Sequence, residues 1–346
     1  MGSTQIGNII QKIWWIGTGE EIDRSFLKEC IYTETVDLSG PRLSLLFDDP
    51  DSILTDSPWF KIKIGDVLEI IFEDPTYRKG LNVVIRFIIL TMPKDGIRLT
   101  MHCFQEDVYK LKMPAPEARL FVQKPVREIL RELIPGLKSG VIQDRIGNFP
   151  VVEDYHLLPG MRPSLLIRQM AKEHGAVAFF SRNVFCFQRL VDLRNLNEEE
   201  RIYYEWNNIQ AENQIVHMDV MNVAHVVGDR ILRKYIGWHM VKGFVSGDCI
   251  STDAPVEFAG VGHEITLSNM VEFTLLLIDL AMIGDGRLEP GLALKFGWHL
   301  DDKARPFDES LPTTGVVGVV CHYHTGDQYN CRTKIVVPLD GSQVSR

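Results

Sequence analysis

The sequence predicts a β-rich α+β chain in which two antiparallel β domains, each a barrel or a sandwich, flank a small α/β domain. Three observations predict it. Short alternating apolar runs separated by turn residues fill both ends of the chain. A helix, a glycine stop and a tight hairpin occupy its middle, from Met161 to Leu190. The order of elements near the start is echoed near the end. The predicted domains are a first β domain over 1–115, the α/β domain over 116–195, and a second β domain over 196–346. The last carries an irregular insertion at about 236–286.

Trp14 and Trp15, near Gly17 and Gly19, open the chain as an arm or first strand. An exposed aromatic pair there would be a contact surface, and a packed pair would be ordinary core. Arg42–Phe47 alternates, with Leu43, Leu45 and Phe47 on one face. Asp66–Glu73 sets Leu68, Ile70 and Phe72 against Glu69 and Glu73. Asn82–Leu90 is almost wholly apolar and predicts a central strand. Pro93-Lys94-Asp95-Gly96 turns the chain into a return strand over Ile97–Phe104. Pro114 and Pro116 mark a boundary.

Pro125–Leu133 then predicts a helix, with Ile129, Leu130 and Leu133 on one face, stopped by Pro135-Gly136. The central block follows. Pro163 suits a first helical turn, Ile167, Met170, Ala171 and His174 share a face, and Gly175 sits where a left-handed residue ends a helix. Ala176–Phe180 and Val184–Phe187 flank the turn-like Ser181-Arg182-Asn183. His174 and Cys186 read as a helix-end residue and a core thiol. Glu198-Glu199-Glu200 lies in a solvated connection. Beyond it, Ile215–Val220 is strand-like, Glu272–Leu280 suits strand or helix, and Leu288–His299 alternates clearly. Val316–His324 and Tyr329–Val337 form a hairpin around Thr325–Gln328. Its Gly-entered strand, loop and long apolar hairpin echo the run that begins at Ile64-Gly65-Asp66, so the two β regions read as one type.

At 346 residues, the chain suits two or three domains. With 45% hydrophobic and 24% charged residues, it can bury substantial cores. A net charge of −9 argues against binding a nucleic-acid backbone by charge neutralisation, yet suits a wall that nucleic acid slides past. The polar start predicts no signal peptide. Phe273–Ile283, the most apolar run, is about half a membrane span, contains Asp279, and reads as buried core. The six cysteines lack a C-x-x-C spacing and read as reduced core thiols, with Cys321 and Cys331 able to face each other across the last hairpin.

The best candidates for chemistry lie at that hairpin and its approach. His299, Asp301 and Asp302 end one strand, and His322, His324 and Asp327 line the next turn. His322 and His324 are two apart in a strand and share a face, as two zinc ligands could and as surface or lumen histidines equally would. There is no H-E-x-x-H, G-x-S-x-G, phosphate loop or dinucleotide fingerprint. Gly260-Val261-Gly262 and Gly284-Asp285-Gly286 read as turns, and Arg230, Arg233 and Lys234 as a solvated edge. The sequence therefore assigns no catalytic, cofactor-binding or metal residue.

Leu166-Ile167-Arg168-Gln169-Met170-Ala171-Lys172-Glu173-His174-Gly175, followed by Val177–Phe180 and Phe185–Phe187, resembles the baseplate hub protein of contractile-tailed bacteriophages. The base of type VI secretion spike proteins shares that fold. Leu288-Glu289-Pro290-Gly291, Gly315–His322 and Tyr329–Lys334 are similar to the family's final hairpin, and Asp66–Ile70 to its first β domain. The matches fall in family order along most of the chain, with 236–286 matching poorly. The resemblance implies two tail-tube-like barrels per chain and a homotrimer whose pseudo-six-fold ring joins a six-fold tail tube to a three-fold spike protein. DNA would pass through the ring without specific binding. The protein would sit in the virion baseplate, be assembled in the bacterial host cytoplasm, and be no enzyme; any spike or lysozyme part would be a separate chain. Two alternatives stand beside it. One is a β-rich metal-dependent hydrolase using His299, His322 and His324. The other is the hub part of a non-contractile tail tip or of a phage-derived secretion device.

Overall fold

The computed structural model describes residues 5–6, 8–74, 76–77, 79–151, 153–194, 201–221, 233–248, 254–300 and 306–339. Asp301, Asp302, Arg230, Cys249 and the Glu198–Glu200 run lie outside them. The alternating runs of the first region form six strands: Ile10–Trp15, Leu27–Thr35, Arg42–Asp48, Val67–Phe72, Val83–Thr91 and Arg98–Gln105. They pair antiparallel, with Arg98–Gln105 between Arg42–Asp48 and Val83–Thr91. Leu43, Leu45, Phe47, Leu68, Ile70 and Phe72 are buried, as their period of two requires. Val83–Thr91 is central by its neighbours, but Val84 and Arg86 face solvent, so its apolar run covers only one buried side. Trp15 is buried and Trp14 half-buried, which places the pair in a strand rather than a free arm.

Six later strands close on themselves. Thr314–Thr325 pairs with Gln328–Leu339, which pairs with Phe273–Ile283, then Gln214–Val220, Ile202–Trp206 and Ala293–Trp298, which returns to Thr314–Thr325. Closure removes the sheet edges that an open sheet of this size would expose. The barrel departs from an antiparallel expectation at one place. Ile202–Trp206 runs parallel to both its neighbours. Alternation reports which face a residue takes and is blind to strand direction, so this was not readable from the pattern. Glu272–Leu280 resolves to a strand, Phe273–Ile283, within the barrel.

The two β regions are not separate bodies. Thr314–Thr325 also pairs with Leu27–Thr35, from Val319↔Thr35 to Thr325↔Glu29. One sheet and one buried cluster therefore run through both regions. The shared strand changes partners at a register shift between Val317 and Val319. Gly318 sits in the shift, where an added Cβ would come within 2.6 Å of Val336 Cγ1.

The middle block has its own core, built from Val108, Leu111, Ile129, Leu130, Leu166, Ile167, Met170, Phe180, Phe185 and Phe187 among others. Its helix spans Pro163–Glu173, and Gly175 follows with φ +57, the left-handed stop its position predicts. The hairpin Ala176–Ser181 and Val184–Arg189 is extended by Gln143–Ile146, parallel to the second strand. A further lobe consists of a three-stranded sheet, Lys234–His239, Gly243–Ser246 and Val256–Phe258, backed by the helix Glu264–Asn269. Among the described residues, no helix is long and apolar enough to cross a membrane.

Candidate functional site

The middle hairpin turns through two residues, Arg182 and Asn183, since Ser181 pairs with Val184. Both have positive φ, 47° and 64°. That is the turn whose twist suits a tight hairpin, and Asn tolerates it better than Arg. Arg182 holds the unfavourable conformation because its surroundings specify it. Its guanidinium donates to the carbonyls of Gly80 (3.1 Å), Leu288 (3.1 Å) and Gly286, and its Nε lies 3.6 Å from Glu289 Oε2. Its backbone N–H donates to Glu34 Oε1 at 2.7 Å. Ser181 Oγ donates to Glu289 Oε2 (3.1 Å), Arg145 pairs with Glu289 Oε1 (3.2 Å), and Gln105 Nε2 donates to Asn183 Oδ1 (3.3 Å). The tip is thus a polar wedge. It is gripped by the first β region through Glu34, Gly80 and Gln105, and by the barrel through Gly286, Leu288 and Glu289.

Close packing surrounds the wedge. A Cβ on Gly286 would lie 2.0 Å from Asp74 Oδ2 and 2.8 Å from the Leu81 nitrogen, so this backbone approaches the first region as only glycine allows. Behind it, the Asp285 carboxylate accepts from Arg287 Nη2 (2.8 Å) and from the Tyr204 hydroxyl. Arg287 also donates to Asn213 Oδ1 (2.6 Å) and covers the Tyr77 ring at 3.8 Å. Glu34 is fully buried, and that burial pushes its carboxyl up to about 7 against the pull of Arg182.

The histidines take other roles. His322 and His324 do share a face, but they are buried core residues rather than surface or lumen ones. His322 Nδ1 lies 2.8 Å from the Tyr329 hydroxyl and 3.3 Å from Cys331 Sγ, and its ring stacks near Tyr32. Burial pulls its pKa down to about 3, so it stays neutral. His299 instead bonds Glu205 at 2.7 Å. The antiparallel register of Ala293–Trp298 on Thr314–Thr325 sends His299 and His322 toward opposite ends, so the trio is not brought together. Among the described residues, no group of three or more His, Cys, Asp or Glu is placed to hold a metal ion. Cys331 pairs with His322, and Cys321 with Arg332. The two cysteines are one position out of register, therefore point to opposite faces, and are free thiols. His174 ends its helix, with Nε2 at 3.4 Å from the Tyr155 hydroxyl, and Cys186 is a buried thiol.

The lobe presents the opposite kind of surface. Trp238 and Phe244 form a T-shaped cross-strand pair at 5.0 Å, with 53% and 73% of their area exposed. Val256 and Phe258 are exposed on the same small sheet, and Met240 and Val241 at the turn are 96% and 89% exposed. An outward apolar face of this kind is the usual mark of a surface that another molecule covers.

No family model matches the chain, and no curated protein does. Solved structures do. A tail protein from Neisseria meningitidis MC58 aligns over 95% of this chain and 96% of its own, with a TM-score of 0.60 at 11% identity. The 43 kDa tail protein of prophage MuSo2 from Shewanella oneidensis aligns over 95% and 97%, with a TM-score of 0.58 at 10% identity. The E. coli c3393 protein aligns over 95% of this chain and 77% of its own, with a TM-score of 0.53 at 8% identity. It is described as a type VI secretion component structurally similar to T4 tail proteins gp27 and gp5. This chain has the phage tail-protein fold. The resemblance read from its central helix, hairpin and last strands is therefore matched in three dimensions over nearly the whole length.

Within that fold, the wedge is the part that sequence reading missed. Ser181-Arg182-Asn183 was legible as a turn, and turns are ordinarily exposed. The one signal available was an arginine at a position that prefers Gly or Asn.

Proposed function

We propose that this chain is a structural subunit of a phage tail baseplate. Three copies form a hub ring in which the two β regions of each chain supply six similar positions. The ring joins the tail tube to a three-fold spike and forms part of the channel through which DNA passes. One observation carries the reading: the tail-protein fold extends over 95% of the chain and nearly all of two tail proteins, one of them from a prophage. The construction agrees with a part that must transmit force. Both β regions lie in one sheet, share one core and are clamped by a third block, so a load on one is borne by all. The exposed lobe face supplies an apolar surface for a neighbouring subunit to cover. An acidic balance keeps DNA from adhering to the ring. Mass photometry of the purified chain, alone and mixed with a candidate spike protein, tests the proposal. A trimer, or a complex holding three copies, is expected. A monomer under both conditions would overturn it.

A further inference from the structure

Among the described residues, Glu34 is the one carboxyl that accepts a backbone N–H of the wedge tip. It lies on Leu27–Thr35, the strand that joins the first region to the shared strand Thr314–Thr325. One oxygen, Oε1, accepts the Arg182 N–H. The carboxyl is fully buried, and among the described residues its other oxygen, Oε2, meets no donor at good hydrogen-bond geometry, the Tyr32 hydroxyl being the donor that faces the carboxyl. The charged and titratable groups facing the carboxyl are Arg182 from the hairpin, Tyr32 from its own strand and Glu289 from the barrel side. Arg182 is the only cation among them, and its guanidinium is committed to three carbonyls and to Glu289. An ionised Glu34 would gain from the Arg182 charge, the Arg182 N–H and the Tyr32 hydroxyl, but it would sit in a dry site near a second carboxylate, and the loss of its water outweighs that gain. A protonated Glu34 keeps the Oε1 acceptor for Arg182 and removes the repulsion from that second carboxylate.

We propose that Glu34 makes the junction a proton-operated latch: protonated, it holds the hairpin tip locked between the two β regions, and ionised, it biases the tip toward release. The direction follows from burial. The carboxyl titrates near 7 in the folded chain and near the ordinary 4.5 when unfolded, so the folded chain holds a proton that the unfolded chain has lost. The stabilisation is complete below about pH 4.5 and declines as pH rises through about 7. Lost protection confined to Ala176–Arg189 would mark a local release of the hairpin. Loss across the whole chain would mean that the proton only adjusts global stability, which overturns the latch.

The test is hydrogen exchange at the Arg182 amide in the full chain between pH 5 and 8, corrected for intrinsic exchange, in wild type and in Glu34→Gln. The glutamine keeps the acceptor oxygen and cannot ionise. Wild-type protection should fall on the order of a hundredfold across the range, while the variant stays level. Parallel profiles in the two proteins would overturn the proposal. Should the variant fail to fold, the wild-type carboxyl is followed directly by carbon NMR. Titration near neutrality together with the falling protection supports the latch, and titration in the ordinary carboxylate range overturns it.

Discussion

Two hairpins in this chain, one turning through two residues and one through three, carry tips of opposite character in opposite surroundings. The middle hairpin carries Ser181, Arg182 and Asn183 at its tip, all polar, and drives them inward. The lobe hairpin carries Met240 and Val241, both apolar, beside Lys242, and holds them in solvent. Composition alone would place them the other way round. The difference shows what a tip is worth once its surroundings are known. Arg182 is largely enclosed, and three carbonyls that accept from its guanidinium, with a carboxylate 3.6 Å from its Nε, offset the water it loses. Met240 and Val241 contribute nothing to the fold of a single chain, so their apolar character needs a reason outside it.

The largest effect is expected where the polar tip is cut. Arg182→Ala leaves the Gly80, Gly286 and Leu288 carbonyls without their shared donor and Glu289 with only Arg145 and the Ser181 hydroxyl among its described partners. Removing one partner from such a buried set costs roughly 3 kcal/mol or more. Urea unfolding should show that loss, and limited proteolysis should find the hairpin opened first. A loss below about 1 kcal/mol would mean that the wedge does not clamp the two β regions.

Gly286→Ala strikes the same junction without touching a charge. The new methyl meets Asp74 Oδ2 and the Leu81 nitrogen, so one region must move away from the other. Overpacking of this kind costs about 1–3 kcal/mol, readable as a lower midpoint at unchanged slope.

The two substitutions also show what the sequence could tell. Alternation placed Leu43, Leu68 and Ile129 in cores correctly, because burial of one face leaves a period in the letters. The Pro163–Glu173 helix was legible from its opening proline and from the Gly175 stop beyond its end. Gly284-Asp285-Gly286 was legible only as a turn, since the reason for Gly286 is Asp74, which local spacing cannot connect to it. Arg182 finds its acceptors 102 residues earlier and 104 and 106 residues later. His322 and His324 show the same limit, for a shared face was readable but its burial under Tyr32 and Tyr329 was not.

A smaller effect separates the acid side of the stability curve from the latch. Burial holds His322 near 3 and His174 near 4, below the ordinary value of 6.5. The unfolded chain therefore takes up protons that the folded chain refuses, and stability falls as pH drops below about 6.5. This runs opposite to Glu34, which costs stability as pH rises. His322→Gln should flatten the acid limb of the urea midpoint against pH and leave the limb above pH 7 unchanged. Equal slopes in variant and wild type would mean that other groups set the acid limb.

The least effect on folding and the clearest on assembly is expected at the lobe. Trp238→Ser with Phe244→Ser removes an aromatic pair that is mostly in solvent, so the single chain should lose only about 1 kcal/mol. In the proposed ring the same pair would be covered by a neighbour, and aromatic anchors at the centre of an interface typically cost 2 kcal/mol or more when truncated. The double variant should therefore unfold near the wild-type midpoint while its trimer dissociates at concentrations at least tenfold higher, measured by mass photometry over a dilution series. Met240→Ser with Val241→Ser at the turn locates the contact further. Loss of assembly from both pairs would mean that the whole lobe face is covered, whereas loss from Trp238 and Phe244 alone would confine the neighbour to the sheet. Unchanged assembly in both would remove the lobe from the ring's contacts.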